Sequence, residues 1–428
     1  MALFVSRIYR KLNNLERKFA NDPDQFVILR YLTFLFAIRY DRPSGVLQRT
    51  LWYCYRSVLL CVFSSYCYKA YWHMTHTAYN VSMFNILGTL WIFVGALVRV
   101  ILFDRSVLAR LERFLNDRSF RGMEQKVITA RHTVQRQNNR YLVAVALALL
   151  LETFIFLGTN LMLQPEFMLV YNGRVVGGFA IQILYGFTTC YWGSLYVMIF
   201  FFIYVMLNAF REEMSIVVES FTHINQVFDH YHPYSDAPNT STAQEQEFWD
   251  ELRYRLKKNV QRHVQLLEHL VAFRAILGPF SFIQYYGSFM LIAYYCFIMM
   301  YKGITSLTVV YIGFIVFLIV ESFLFCRIIS EINDLVSHAQ IGTVLYDMEW
   351  YNKLRFSTRF ASDYRHVRST MLIIICRTQT PLSFTINGLG TISMSRFTDL
   401  LNSSYTFLTM LVQFKREIAS KLMEKAEN

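Results

Sequence analysis

Apolar residues in this chain are grouped into seven long segments separated by polar stretches. A helix needs about 20 consecutive apolar residues to cross the hydrocarbon core of a bilayer, and most of these segments reach that length. Backbone polar groups inside a bilayer must be satisfied within the segment, which favours helices. The pattern predicts an all-α polytopic membrane protein with seven transmembrane helices, at 51–73, 83–103, 141–163, 176–207, 276–301, 306–328 and 397–414.

The segments between these spans alternate in their Lys and Arg content. Such residues accumulate in the cytoplasmic loops of membrane proteins, so the alternation indicates how the chain enters the bilayer. We expect a cytoplasmic N-terminus and an extracellular C-terminus, even though the tail carries four further basic residues. The Lys and Arg counts are nine in 1–50, none in 74–82, nine in 104–140, one in 164–175, seven in 208–275, one in 302–305 and six in 329–390.

The long basic segments are predicted to extend the spans into the cytoplasm. Residues 104–140 alternate apolar and basic positions and predict a helix that continues the second span. Residues 247–274 predict an amphipathic helix, with Trp249, Leu252 and Leu256 on its apolar face. Such extensions either pack into a bundle or lie on the lipid surface. The predicted division is an N-terminal cytoplasmic region 1–50, spans one to six in 51–328, cytoplasmic helices in 329–392, a seventh span in 393–414 and an extracellular tail 415–428.

Composition favours burial against lipid over burial in a water-soluble core. The chain is 54% hydrophobic and 17% charged, whereas soluble domains carry about 25% charged residues. The net charge of +12 is explained by basic loops that face anionic lipid of the inner leaflet. We therefore expect membrane lipid, and no nucleic acid, among the partners.

No catalytic or nucleotide-binding motif occurs in the sequence, so we expect no enzyme activity and no cofactor. The seven cysteines form no C-x-x-C pair and predict neither a disulfide framework nor a metal site. Asn80-Val81-Ser82 is a glycosylation sequon in the first predicted extracellular loop, which makes Asn80 a candidate acceptor.

Two acidic and three basic residues within the predicted spans are of interest. Glu152 and Glu321 lie near the middle of their spans, where an acid indicates either a functional site or a structural hydrogen bond. Arg56, Lys69 and Arg99 lie nearer span ends, and we expect their side chains to snorkel toward water.

The seventh span carries a polar stripe on one helical face. Asn402, Thr406, Thr409 and Gln413 are spaced four, three and four residues apart. A polar stripe on a spanning helix must face protein or water, because lipid cannot satisfy it. The physics leaves two interpretations open, namely hydrogen bonding between helices and a pore lined by copies of this helix.

The C-terminal part of the chain resembles the insect odorant receptors. The similarity lies in Pro381-Leu382-Ser383-Phe384-Thr385, then Ser393 and Phe397, then Ser404-Tyr405-Thr406-Phe407. The gustatory receptors end in Thr-Tyr, five apolar residues and Gln-Phe, and the ending Thr406-Phe407, the run 408–412 and Gln413-Phe414 is also similar to this, with Phe in place of Tyr. The length, loop pattern and inverted orientation resemble the odorant family over the whole chain.

The resemblance implies a subunit of a ligand-gated cation channel in the plasma membrane of sensory neurons. Family members of this kind form tetramers, usually with a shared odorant co-receptor, around a pore lined by the seventh span. The cytoplasmic helices would form an anchor domain, and the gate aligns with Met410, Gln413 and Phe414. The longer cytoplasmic insertion of the co-receptor is not evident here, which indicates an odour-tuning subunit.

The resemblance also implies a ligand pocket between the second, third, fourth and sixth spans. Aromatic side chains at that depth suit a small, mostly apolar volatile held by shape and by one hydrogen bond. The candidate pocket residues are Trp91, Phe154, Thr159, Phe187, Tyr191 and Tyr311.

Other seven-span and transport classes fit the sequence less well. A G-protein-coupled receptor requires an extracellular N-terminus, whereas the loop charges indicate the reverse, and the seventh span has no Asn-Pro-x-x-Tyr. A transporter would more often have paired halves with broken helices or coupled acidic sites. A gustatory channel stays open as the alternative, since the two receptor families share an architecture.

Overall fold

Thirteen α-helices and two antiparallel strand pairs, β1 (Val170–Tyr171) with β2 (Arg174–Val175) and β3 (Thr385–Ile386) with β4 (Gly390–Thr391), make up most of the described part of the chain. The computed structural model describes residues 24–36, 45–76, 81–103, 106–117, 125–159, 165–231, 242–337, 340–354, 356–378, 384–386 and 390–427. The helices are α1 Val27–Leu35, α2 Val46–His76, α3 Val81–Phe103, α4 Ser106–Leu115, α5 Gln125–Thr159, α6 Phe179–Thr222, α7 Ile224–Tyr231, α8 Thr242–Lys302, α9 Ser306–Ser337, α10 Gln340–Asp347, α11 Trp350–Lys353, α12 Ala361–Thr378 and α13 Met394–Glu427.

Five of these helices are long and apolar enough to cross a membrane by length and composition, and they are α3, α5, α6, α8 and α9. They overlap the predicted spans two to six. The first and seventh predicted spans also form helices, α2 and α13, but these two are not among the five. Both carry many hydroxyl, amide or basic side chains between their apolar residues. α13 also continues through the predicted tail to Glu427.

α6 lies at the centre of the bundle and contacts α3, α5, α8 and α9. Residues 197–203 of this helix are all buried, with at most 2% of each side chain exposed. A helix that is apolar on every side is buried on every side, which explains why the run from Val197 to Ile203 has no polar face. The 44 residues of α6 span roughly 66 Å at about 1.5 Å per residue, more than a bilayer needs.

The helices continue beyond the predicted spans at the end of the bundle opposite the β1–β2 hairpin. α8 joins the predicted amphipathic segment 247–274 to the fifth span in one helix of 61 residues. The prediction that 104–140 extends the second span is wrong for its last part, and the two residues between α3 and α4 lie outside the described part of the chain. Residues 125–140 instead begin α5, the third predicted span.

A buried ion-pair cluster holds three of these extensions together. Glu213 of α6 accepts hydrogen bonds from Arg131 of α5, at 2.6 and 2.9 Å, and from Arg262 of α8, at 2.9 Å. The Arg262 guanidinium also stacks over the Phe114 ring of α4. Burial lowers the pKa of neighbouring His263 to about 4, because the charged imidazolium would lose its hydration there. These extensions therefore pack against one another as a protein interior.

Of the three basic residues that were expected to snorkel toward water, Arg99 and Lys69 are buried instead. Arg99 is 0% exposed and donates to the Tyr196 carbonyl, to Gln284 and to Glu321, whose carboxylate is 3.5 Å away. Lys69 is 2% exposed and donates to two backbone carbonyls. The snorkelling expectation is wrong for both residues, because partners within the bundle satisfy their charged groups.

Candidate ligand cavity and seventh helix

A cavity of about 100 Å³ lies inside the bundle, between α3, α5, α6 and α9, with Tyr295 of α8 closing one side. It sits near the bundle end that carries the β1–β2 hairpin, which the charge pattern places outside the cell. The lining residues are Asn85, Thr89, Ile92, Phe93, Leu149, Glu152, Thr153, Phe156, Phe167, Thr189, Cys190, Gly193, Ser194, Tyr295, Leu307, Val310, Tyr311 and Phe314.

The cavity walls are mainly apolar and aromatic, and most of their hydroxyl groups are already bonded within the protein. The Thr89, Thr153 and Thr189 hydroxyls each donate to the backbone carbonyl four residues earlier, at 2.8 to 3.0 Å. This local bond is how a hydroxyl is satisfied on a spanning helix. The walls therefore offer mainly shape and dispersion, which suits a small apolar ligand.

A hydrogen-bond network closes the cavity at its outer end. The Asn85 amide donates to Glu166 at 2.7 Å and accepts a bond from the Tyr311 hydroxyl at 2.9 Å. Lys69 of α2 donates to the carbonyls of Glu166 and Met168. The loop that contains Phe167, a cavity residue, is thus fastened to α2, α3 and α9.

The β1–β2 hairpin follows this loop and packs on α2. β1 (Val170–Tyr171) pairs antiparallel with β2 (Arg174–Val175). The turn residues Asn172 and Gly173 both have positive φ, at 49° and 76°. This is the backbone that Asn-Gly turns adopt in two-residue hairpins. Gln182 of α6 then donates to the Val176 carbonyl and accepts from the Leu169 amide, which fixes the loop to the start of α6.

The structure brings only Tyr311, of the six predicted pocket residues, to the cavity wall. Trp91, Phe154 and Phe187 have 46%, 64% and 48% of their side chains exposed on the outside of the bundle. Tyr191 stacks on Phe36 at a ring distance of 5.5 Å, away from the cavity. Thr159 ends α5, and its side chain lies outside the described part of the chain.

The missed cavity residues are close neighbours of the predicted ones. Phe93 lies two positions after Trp91, Phe156 two after Phe154, and Thr189 two after Phe187. A shift of two residues turns a helix by roughly 200°, so the depth was predicted while the facing direction was reversed. Polar residues within the spans indicate the inner face, since lipid cannot satisfy them. The inner faces of α3 and α5 would have been indicated by their polar residues, Asn85 and Thr89 on α3 and Glu152 and Thr153 on α5.

The polar stripe of α13 lies on an exposed face of the chain. The side chains of Asn402, Thr406, Met410 and Gln413 are all exposed, and Thr409 is half-buried. The opposite face packs on α8 and α9, with Leu400 and Ser404 buried and Phe407 in edge contact with Phe289. The side chain of Phe414 lies outside the described residues, as does Asn80, the predicted glycosylation site.

Comparison with known proteins gives one family. The sequence model described as 7tm odorant receptor matches residues 81–405. No curated protein matches the chain.

Two solved structures share the fold. One is the insect olfactory receptor OR5 from Machilis hrabei in complex with eugenol, with a TM-score of 0.62 and 14% identity. The other is the same receptor described without a ligand, with a TM-score of 0.54 and 14% identity. Each comparison covers 91% of this chain and 100% of the receptor.

Proposed function

Since the chain belongs to the 7tm odorant receptor family, we propose that it is the odour-tuning subunit of a ligand-gated cation channel. The largely apolar cavity is the observation that carries the proposal, because it lies within one chain and between helices that are long and apolar enough to cross a membrane. The Machilis hrabei receptor, which has the same fold, is described in complex with the small volatile eugenol. A small volatile is accordingly the ligand class we propose here.

The ligand acts by population shift in this proposal. A volatile in the cavity contacts α3, α5, α6 and α9, and it favours whichever arrangement of these helices it binds more tightly. α8 and α9 also support α13 on its buried face. Movement of these helices would therefore reach the seventh helix directly. No nucleotide or enzymatic step is required.

The pore in this proposal is lined by the exposed stripe of α13 in a tetramer with the odorant co-receptor. A stripe of Asn402, Thr406, Thr409 and Gln413 carries no fixed charge and gives a wide, weakly selective path. Met410, Gln413 and Phe414 would form the constriction near the outer mouth. The helices of 329–392 would anchor the subunits in the cytoplasm, and the channel would reside in the plasma membrane of sensory neurons.

Whole-cell recording tests this function. The chain is expressed with and without the odorant co-receptor, exposed to a panel of volatiles, and recorded with G-protein signalling blocked. We expect a prompt cation current that survives the block and requires the co-receptor. Current from this chain alone would indicate a self-sufficient homomer of the gustatory type. Silence in both arms, with the protein at the cell surface, would overturn the channel proposal.

A further inference from the structure

Three polar groups on the cavity wall are left without a partner. The Glu152 carboxyl, the Ser194 hydroxyl and the Tyr295 hydroxyl make no hydrogen bond or ion pair with any described residue. They come from α5, α6 and α8, so they enter the cavity from three different helices. The wall hydroxyls of the threonines, in contrast, are bonded to their own helices. The unpartnered groups are thus available to a bound molecule.

Among the described residues that line the cavity, Glu152 is the one Asp or Glu, and none is Lys, Arg or His. Its carboxyl lies beside Gly313 of α9, where a Cβ would be 3.6 Å from Oε1. The buried cations of the described helices are engaged elsewhere: Arg99 by Glu321, Lys69 by backbone carbonyls, and Arg131 and Arg262 by Glu213. Inside a bilayer, a carboxyl group with no cation beside it is either protonated and neutral, or it is paired with a cation that binds there.

Resting on the proposed function, we propose that the cavity selects small volatile amines and that Glu152 is their anchor. A neutral amine enters the cavity and takes the proton of the neutral Glu152 carboxyl. The N–H bond forms as the carboxyl O–H bond breaks, which leaves an ammonium paired with a carboxylate and no change in total charge. Such charge-assisted hydrogen bonds are about twice as strong as neutral ones.

The remaining walls also suit a cation. The rings that line the cavity belong to Phe93, Phe156, Phe167, Tyr295, Tyr311 and Phe314. Aromatic faces attract ammonium groups, most strongly where water is excluded. Ser194 and Tyr295 supply two oxygens that can accept the further N–H bonds of a primary amine. A hydrocarbon of the same shape would leave all three polar groups unpaired.

The cavity volume restricts the ligand to a small molecule. An engineered protein cavity of about 150 Å³ holds benzene, and the cavity here is about 100 Å³. Molecules of about five non-hydrogen atoms, smaller than benzene, are therefore suitable probes. Butylamine, 1-butanol and pentane share one skeleton and differ only in the group that would meet Glu152.

The test compares dose–response curves for these three probes on the chain expressed with the odorant co-receptor. We expect a half-maximal concentration for butylamine at least tenfold below that of 1-butanol, with pentane weakest. Glu152→Gln keeps the shape but cannot become an anion, so it should raise the butylamine value at least tenfold and change the 1-butanol value less than threefold. Glu152→Asp, which retains the carboxyl, should keep the amine preference in part.

Glu251→Gln is the matched control, because it makes the same change on the distant part of α8 and should alter none of the three curves. Surface abundance is measured for every variant. The ranking of probes on the unmodified chain is a test in itself, should Glu152→Gln fail to reach the surface.

Equal potency of butylamine and 1-butanol, or an equal loss of all responses in Glu152→Gln at normal surface abundance, would overturn the amine proposal. Activation by other volatiles in the same cells would then leave the channel function standing. If neither the three probes nor a broad volatile panel evokes current at normal surface abundance, the function itself is overturned.

Discussion

At the residue scale, substitution of one buried charged side chain is expected to lower the stability of the bundle. Arg99 and Glu321 are both fully buried, and Arg99 also holds Gln284 and the Tyr196 carbonyl. Removing one partner of a buried pair costs about 3–5 kcal/mol, because the other charge is left uncompensated. We expect Arg99→Met to lower the melting temperature of the solubilised protein strongly, as followed by fluorescence-detected size exclusion. The double variant Arg99→Met/Glu321→Leu should recover most of the loss.

The control for this pair is Arg327, which lies on α9, the helix that carries Glu321. Arg327 is largely exposed and pairs with Glu331 one turn away. Exposed pairs of this kind contribute about 0.3–0.5 kcal/mol, so Arg327→Met should shift the melting temperature little. A double variant as unstable as Arg99→Met alone would show that the two residues are not coupled.

Residue-level placement was the least predictable part of the site. The sequence predicted the depth of the pocket, because position along a spanning helix follows the residue count. It did not predict which side of each helix faces inward, since aromatic residues such as Trp91 and Phe154 occur on every face. Arg99 was misplaced for a related reason, because its partners Gln284 and Glu321 lie 185 and 222 residues away.

At the scale of elements, the β1–β2 hairpin positions the adjoining loop, which carries Phe167 at one end of the cavity. Gly173 has φ +76°, and a Cβ added there would lie 2.6 Å from the Trp72 ring of α2. The left-handed backbone alone costs an L-residue about 1–2 kcal/mol. We expect Gly173→Ala to lower the melting temperature and to weaken ligand potency, because the adjoining loop carries Phe167. Thermal stability and half-maximal ligand concentration check this.

Gly178 provides the matched control for the hairpin. It precedes α6 with φ −79°, and an added Cβ would meet nothing within 4 Å. Gly178→Ala should therefore leave both quantities unchanged. Equal effects of the two substitutions would mean that the hairpin conformation is not what holds the cavity closed.

Helices were more predictable than their ends and connections. The continuous apolar runs identified five spans, because a bilayer-crossing helix requires a length that few other elements have. The inclusion of 125–140 in α5 was missed, because basic residues are spread through 104–140 and mark no boundary within it. The hairpin was missed although Asn172-Gly173 between Val170-Tyr171 and Arg174-Val175 is a strong turn pattern.

At the scale of the whole molecule, packing within one chain explains where the cavity lies, but it does not cover the polar stripe of α13. The helices that line the cavity all belong to this chain, so its position follows from packing within the bundle. The stripe remains exposed while the opposite face of α13 is buried on α8 and α9. The Thr406 and Thr409 hydroxyls donate to carbonyls of α13 itself, but lipid cannot satisfy the Asn402 and Gln413 amides. The exposed amides therefore agree with the water-filled path between subunits that we propose.

Cysteine substitution along α13 distinguishes these two environments. In a background with the exposed Cys54, Cys61 and Cys376 replaced by serine, single cysteines at Asn402, Thr406 and Gln413 should react with a cationic methanethiosulfonate. We expect the attached charge to reduce odorant-evoked current by more than half, because it adds a fixed positive charge to a cation path. A cysteine at Ser404 should be protected, since that side chain is 4% exposed against the bundle. Modification at Ser404 with the stripe unaffected would place the polar face of α13 between helices and the pore elsewhere.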